Sequence, residues 1–331
     1  MNVLGIETSC DETAAAVVKD GKYILSNIVS SSLKLHQKYG GIIPEIASRQ
    51  QLELIQIVVN NALHQAGITL NGIDAIAVTG NPGLIGSLLV GMSYARALSY
   101  ATKKPLAEIN HIQAHLYASF LSSKNGKAPD AQSRNQTPKL PAIGLVVSGG
   151  HSSIFHIKSF RKYIPLGQTR DDAAGETFDK VARILDLGYP GGPAIDRLAK
   201  KEKNSHIRFT CAELPGTYDF SFSGIKTAVL YYVRKHPDEK RLFLNQIAHA
   251  FQKSVVAVLV DKCIRACKET KIRNLVVGGG VAANSGLRQS LCAEAERNDI
   301  EVFFPPISLC IDNAAMVAGL GYQILYERRK Q

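Results

Sequence analysis

His111 and His115 stand four residues apart in Asn110-His111-Ile112-Gln113-Ala114-His115-Leu116. On a helix that spacing stacks both imidazoles on one face, where they can reach a single metal ion. Neutral imidazole suits zinc and iron alike. The spacing reads equally well as two ordinary helix-surface histidines, and the apolar Ala118 to Leu121 that follows places the pair only near a buried edge. A zinc peptidase of the H-E-x-x-H kind carries its general-base Glu directly after the first His. Ile112 occupies that place here, so a peptidase reading begins without its base.

Three polar or glycine-rich turns each follow a short apolar run: Thr8 to Thr13, Ser148-Gly149-Gly150-His151, and Gly278 to Ser285. Backbone N–H groups in such turns cradle phosphates because no Cβ blocks the approach. Singly, each also reads as a plain tight turn. Asp312, in Cys310-Ile311-Asp312-Asn313-Ala314-Ala315, stands just before the last apolar periodic stretch, and its local sequence favours an N-cap role with one oxygen left for other work. Asp179 and Lys180 lie on an expected helix where most such charges are solvated. The turn Gly188 to Pro193, followed by Asp196, would bring backbone close to a ligand.

The elements that must position these residues follow from periodicity. Val3 to Ile6 reads as a strand, Ala14 to Val18 as its return and Tyr23 to Val29 as a third, with Asp20-Gly21 at the tight turn between them. Pro44 to Ala66 reads as a helix with Leu52, Leu54, Ile55, Val58, Val59 and Leu63 as its apolar stripe, stopped by Gly67. Strand Ile73 to Val78, helix Ser87 to Tyr100 and strand Pro105 to Ile109 follow, and the histidine pair opens the next helix. Ile143 to Val147 and Ser153 to Ile157 repeat the opening hairpin, which suggests a duplicated α/β unit. The remainder alternates helices at Ala173 to Leu185, Glu239 to Thr270, Ser285 to Ala295 and Asp312 to Glu327 with strands at Asn274 to Val277 and Val302 to Phe304.

At 331 residues the chain has room for about two domains. Its 45% apolar and 20% charged residues describe a globular protein, and no apolar run approaches the ~20 residues of a spanning helix. The N-terminus lacks a basic start and a long apolar core, so a soluble cytoplasmic protein without a membrane partner is expected. The six cysteines contain no C-x-x-C, and Cys263 and Cys267, one helix turn apart, find no second pair to complete a zinc site. With 39 Lys and Arg against 28 Asp and Glu, the net charge of +11 favours polyanions such as RNA or a phosphorylated substrate. There is no Trp and no RNP-type aromatic signature, so any RNA contact falls to a scattered basic face.

The paired meanders and the three turns together resemble the plan of actin, the heat-shock chaperone ATPases and the sugar kinases: an α/β fold of two duplicated RNase H-like lobes (the ASKHA type) around an interlobe cleft. On that plan residues 1–121 form the N-terminal lobe, 122–139 a polar insertion or linker, and 140–311 the C-terminal lobe, while 312–331 form a final helix packing back on the N-terminal lobe.

More specifically, G-I-E-T-S-C-D-E-T (5–13), P-E-I-A-S-R (44–49), N-H-I-Q-A-H (110–115), S-G-G-H-S (148–152), D-D-A-A-G-E-T-F-D-K-V-A-R (171–183), G-Y-P-G-G-P-A-I-D (188–196), F-S-F-S-G-I-K-T (220–227), G-G-G-V-A-A-N (278–284) and D-N-A-A-M (312–316) resemble the TsaD family over nearly the whole chain. These are tRNA adenosine threonylcarbamoyltransferases, once classed as endopeptidases. The resemblance implies one divalent metal, iron with zinc the alternative, on His111, His115 and Asp312. It implies that Ser148, Gly149, Gly150, His151, Ser152, Asp179, Gly192, Asp196 and Asn284 hold threonylcarbamoyl-AMP. It further implies tRNA as substrate, TsaB-like and TsaE-like partner proteins, and t6A as product. Asp11 and Glu12 are the candidate catalytic carboxylates, to orient the attacking amine or take its proton. The chain departs from the family at Gln51, where many relatives carry His, and in the length of the 122–139 segment. A metal-dependent peptidase and a nucleotide-binding regulatory protein of the same fold are the competing readings.

Overall fold

The computed structural model describes residues 1–123 and 137–329, so most of the expected 122–139 insertion lies outside the described residues. The chain divides into two compact units, Met1–Thr137 together with Pro305–Gln331, and Pro138–Phe304.

The first unit opens with β1 (Asn2–Glu7), β2 (Glu12–Lys19) and β3 (Tyr23–Ser31), an antiparallel meander. Helices α1 (Leu33–Gln37) and α2 (Pro44–Ala66) follow, then β4 (Ala75–Asn81), α3 (Ile85–Thr102), β5 (Leu106–Asn110), α4 (His111–Tyr117) and the short β6 (Ser122–Ser123). The sheet order is β5-β4-β1-β2-β3-β6, with β4 parallel to β1 and to β5. Central strands are covered on both faces, which is why Val3 to Ile6 and Ala14 to Val18 run apolar without alternation. Pro44 starts α2 at a position that needs no N–H, and Gly67 ends it in the left-handed conformation.

The stripe of α2 differs from the expected one. Ala47, Gln51, Ile55, Val58, Val59 and Ala62 face inward, whereas Leu52 is 68% exposed. The polar Gln51 therefore takes the buried position that its apolar neighbour was expected to fill.

The second unit contains β7 (Ala142–Val147), β8 (Ser152–Ser159), β9 (Lys162–Gln168), α5 (Ala174–Ile184), α6 (Gly191–Ala199), α7 (Ser223–Lys235), α8 (Pro237–Leu242), α9 (Leu244–Thr270), β10 (Asn274–Gly278), α10 (Ser285–Arg297) and β11 (Glu301–Phe303). Its order, β11-β10-β7-β8-β9, repeats the β5-β4-β1-β2-β3 part of the first sheet, with the same parallel and antiparallel pairings. The duplication expected from one pair of hairpins thus extends through five strands of each sheet. The helix expected over Glu239 to Thr270 is two helices, α8 and α9.

The final helix, α11 (Ala314–Arg329), packs on β1, β2, β4 and β5 of the first unit. Small residues allow the close approach. Ala14, Ala15, Ala16, Ala77 and Ala314 are fully buried, and a Cβ at Gly5 would collide with the backbone of Ala314. This seating carries the N-terminus of α11, and Asp312 before it, to the histidine helix α4, which α11 also contacts.

Candidate metal centre and phosphate-type turns

Asn110 caps α4, its side chain accepting the Gln113 amide at 3.1 Å, so His111 and His115 fall one turn apart at the end of β5. Their ring centroids are 4.6 Å apart. Asp312 Oδ1 lies 3.1 Å from His115 Nε2 and 3.5 Å from His111 Nε2. One ligand atom from each of the three residues falls within 4.8 Å of the others, the arrangement that lets two imidazoles and a carboxylate share an ion.

Asp312 is not the N-cap of α11. Asn313 fills that role, its Oδ1 accepting the Met316 amide at 3.1 Å while its Nδ2 donates to the Leu309 and Ile311 carbonyls. The N-cap expectation was one residue out of register.

His111 is held from behind. Its Nδ1 lies 3.1 Å from both Glu7 Oε2 and Ser9 Oγ, and Glu7 is fully buried, accepting from Thr79 Oγ1 and the Ser9 amide, each at 2.5 Å. A carboxylate on Nδ1 fixes that nitrogen as the donor and turns Nε2 toward Asp312, where it can ligate a metal once it gives up its proton. His115 is 1% exposed, yet neither of its ring nitrogens makes a hydrogen bond. Buried polar atoms are almost always satisfied, so an orphaned imidazole turned toward a carboxylate and a second imidazole fits a metal ligand.

The electrostatics of the pocket point the same way. Glu7, Asp11, Glu12 and Asp312 gather with little opposing charge. Burial opposes a proton on His111, but Asp312 and Glu7 outweigh it and push the imidazole up to about 9. Burial likewise works against charge on Glu7, yet its ion pair with His111 holds it below the usual carboxylate range. Glu12 is pushed up to about 10, first by burial and then by Asp312 and Asp11. Carboxylates outnumber cationic partners in this cluster, and a divalent cation would supply the missing positive charge.

Asp11 and Glu12 sit on a turn whose carbonyls are all bound on the protein side. Gln51 Nε2 donates to Cys10 O at 2.9 Å and Glu12 O at 3.0 Å, Ser87 Oγ to Cys10 O at 3.2 Å, Ser32 Oγ to Asp11 O at 2.7 Å, and the Leu84 amide to Ser9 O at 2.8 Å. Of the residues of this centre, the motifs gave Glu7 no role, and Gln51 entered only as a departure from the family's His. A charge at the end of an otherwise apolar strand was the signal for Glu7; for Gln51 no local signal existed.

In the second unit, the turn after β7 closes on itself. The His151 amide donates to Ser148 Oγ at 3.1 Å and the Ser148 amide to the His151 carbonyl at 2.8 Å, leaving Gly149 and Gly150 exposed with open space where a Cβ would stand. Asp179 Oδ1 accepts the Gly191 amide at 2.7 Å and so anchors the start of α6, where Gly192 follows. Burial raises the Asp179 carboxyl, and the Gly191 and Gly192 amides offset part of that rise. Asp196 Oδ1 accepts from Ser285 Oγ at 2.7 Å and the Ser285 amide at 3.2 Å. Asn284 caps α10 through the Leu287 amide at 2.9 Å and donates to Gln252 at 2.8 Å. These segments converge because β7 and β10 are parallel neighbours, so the loops leaving both strands emerge on one edge, beside the N-termini of α5 and α10. Gly279, at φ +92° and packed against the Val147 backbone, permits that adjacency.

Duplicated mixed sheets with turns at their strand ends place the chain in the fold class of actin, the chaperone ATPases and the sugar kinases. Solved structures of that kind agree on the fold: HypF of T. kodakarensis superposes with a TM-score of 0.63 at 13% identity over 98% of this chain and 48% of its own. Component A of the Acidaminococcus fermentans (R)-2-hydroxyglutaryl-CoA dehydratase gives 0.56 at 14% identity over 98% and 99%. Nearer in sequence is the tRNA N6-adenosine threonylcarbamoyltransferase of Clostridium botulinum strain 657, 49% identical over 97% of this chain and 92% of the relative. The Syntrophus aciditrophicus enzyme of the same name is 48% identical over 100% and 94%. The TsaD family, described as tRNA N6-adenosine threonylcarbamoyltransferase, matches residues 23–319, and the chain belongs to it. No helix among the described residues is long and apolar enough to cross a membrane.

Proposed function

We propose that this chain transfers the threonylcarbamoyl group from threonylcarbamoyl-AMP to the exocyclic amine of the adenosine 3′ of the anticodon, in tRNAs reading codons that begin with A, and so forms t6A. The reading rests on family membership, and the observation that carries its chemistry is the His111, His115 and Asp312 set, with both imidazoles buried and one of them unsatisfied. A metal ion on those three residues, iron or else zinc, would supply Lewis acidity where charge builds on the carbamoyl group.

In the transfer, the bond from the carbamoyl carbon to the phosphate oxygen breaks, a C–N bond to adenosine forms, AMP leaves, and the amine gives up a proton. No covalent enzyme intermediate is required. The Ser148 to Ser152 turn, Gly192 and the capped N-termini near Asp179, Asp196 and Asn284 offer backbone amides and hydroxyls for the adenylate, and each carboxylate oxygen keeps a lone pair beyond its protein partner. Glu12, its carboxyl raised to about 10 first by burial and then by Asp312 and Asp11, orients the amine by hydrogen bonding, and its carboxylate form accepts the proton that the amine gives up; Asp11 stands beside it on the same turn. The net charge of +11 favours the polyanionic tRNA. TsaB-like and TsaE-like proteins complete the working assembly, in the cytoplasm.

Reconstitution tests the proposal. Purified chain, the two partner proteins, tRNA lacking the modification, and either threonylcarbamoyl-AMP or a synthase with threonine, bicarbonate and ATP should yield t6A by nucleoside mass spectrometry. Absence of t6A with all components present, or cleavage of a glycoprotein in its place, overturns it. The peptidase reading is disfavoured by Ile112, which provides no base beside His111.

A further inference from the structure

Asp171 and Asp172 take no part in the chemistry above, yet they hold the segment from which α5 begins. We infer that both are positioning residues for the Ser148 to Ser152 turn and thereby set the affinity for the adenylate donor; the inference rests on the reading that this turn holds that donor.

The turn is seated directly on the start of α5. The Ala174 amide donates to Ser152 Oγ at 2.9 Å and the Gly175 amide to the Ser148 carbonyl at 3.1 Å. A Cβ at Gly175 would stand 2.6 Å from the Ser148 oxygen and 2.8 Å from the Gly149 nitrogen, so no slack separates helix and turn. Where α5 starts is therefore where the turn sits.

The start of α5 is itself fastened by two carboxylates. Asp171 Oδ1 accepts the Phe222 amide at 2.8 Å and the Ser223 amide at 3.3 Å, and its Oδ2 accepts Ser221 Oγ at 2.6 Å. Asp172 places one oxygen on Lys180 Nζ at 2.7 Å and the other on Lys226 Nζ at 2.8 Å, and its carbonyl accepts from Thr169 Oγ1 at 2.7 Å. The far side of this joint is fixed, since Phe220 and Phe222 are fully buried and stacked with ring centroids 5.7 Å apart. A force path of hydrogen bonds thus runs from a rigid aromatic anchor through Asp171 and Asp172 to the glycine turn. Charge-assisted bonds of this kind are strong and directional, which is what placing a phosphate-binding turn demands.

The test is steady-state kinetics with synthetic threonylcarbamoyl-AMP on the reconstituted enzyme, alongside calorimetric binding of AMP to the chain. Asp172→Asn should raise the donor KM, and weaken AMP, about tenfold, with kcat and the tRNA KM changed less than about twofold. Lys226→Met should do part of the same, and the Asp172→Asn, Lys226→Met double variant should be no worse than Asp172→Asn alone. Asp171→Asn keeps an acceptor for the two amides and should be mild, whereas Asp171→Ala should match Asp172→Asn. Gly175→Ala tests the joint from the helix side without touching either carboxylate, and should also raise the donor KM. An unchanged donor KM and AMP affinity in Asp172→Asn and Gly175→Ala, or a loss confined to kcat or the tRNA KM, overturns the inference. Failure of the wild type to make t6A while still binding AMP counts against the function proposed above and leaves the AMP measurement to judge these residues.

Discussion

His115 Nε2 lies 3.1 Å from Asp312 Oδ1 without hydrogen-bonding to it. Two groups so close that do not bond to each other are aimed at a common third point, and His111 Nε2 shares it. Removing any one of the three should lower metal content, measured by mass spectrometry of the purified chain, and cut t6A formation by at least about a hundredfold. His115→Ala is the most informative change, since the imidazole it removes makes no other hydrogen bond and circular dichroism should stay that of the wild type. Full metal content and turnover in His115→Ala would show that the cluster is not a ligand set.

Glu7 stands one step behind those ligands, its Oε2 3.1 Å from His111 Nδ1. Glu7→Gln keeps the shape of the side chain and removes the charge that fixes the imidazole. Outer partners of this type are worth about 10- to 100-fold in metal affinity. Competition with a chromophoric chelator should show a weakened site in Glu7→Gln, and excess metal should restore much of the t6A activity. Loss that excess metal does not restore would assign Glu7 a role in the fold instead.

Much of this centre was legible in local sequence, and the limits have physical reasons. His111 and His115 can be read together because helix geometry joins residues four apart. Asp312 cannot be joined to them by any local rule; its place depends on α11 seating against small residues of β1, β2 and β4. The N-cap rule pointed at Asp312 and missed Asn313 by one residue, because either side chain can accept a helix amide and only the backbone decides which does. On α2, Leu52 counted toward an apolar stripe by periodicity, while the buried slot went to Gln51, whose amide meets three carbonyls of the Thr8 to Glu12 turn. Periodicity scores apolar character and cannot see a polar residue buried for its hydrogen bonds. Strand β9 carries Pro165 and little alternation, so its sequence did not announce it.

The protons kept on His111 and Glu12 predict a pH effect. His111 is raised from 6.5 to about 9, so its contribution to stability is complete below about 6.5 and is lost as pH rises toward 9. Glu12 is a carboxyl raised from 4.5 to about 10; the unfolded chain releases that proton much earlier, and stability falls from about 4.5 up to about 10, a range that spans the His111 window. Both slopes have one sign. Chelator-treated protein should therefore melt at progressively lower temperature from pH 6.5 to 9, and a saturating divalent ion should flatten the trend by replacing the protons. Melting temperatures that stay level or rise with pH in the chelated protein would contradict the charge balance described for this pocket.

Gln51 links the buried face of α2 to the turn that carries Asp11 and Glu12. Its Nε2 is the donor for Cys10 O at 2.9 Å and Glu12 O at 3.0 Å in a position 1% exposed, so Gln51→Leu would take the side-chain donor from Glu12 O and leave Cys10 O with Ser87 Oγ alone. A buried acceptor left without a donor costs about 1–3 kcal/mol. The same change frees the turn, and orientation of a reacting group tolerates little displacement. Gln51→Leu should lose stability on that scale in urea denaturation, and its kcat for t6A should fall more than its KM for either substrate. Gln51→His, which retains one ring donor, should recover most of both. A Gln51→Leu variant that is destabilised while kcat is unchanged would confine Gln51 to the fold and release Asp11 and Glu12 from dependence on it.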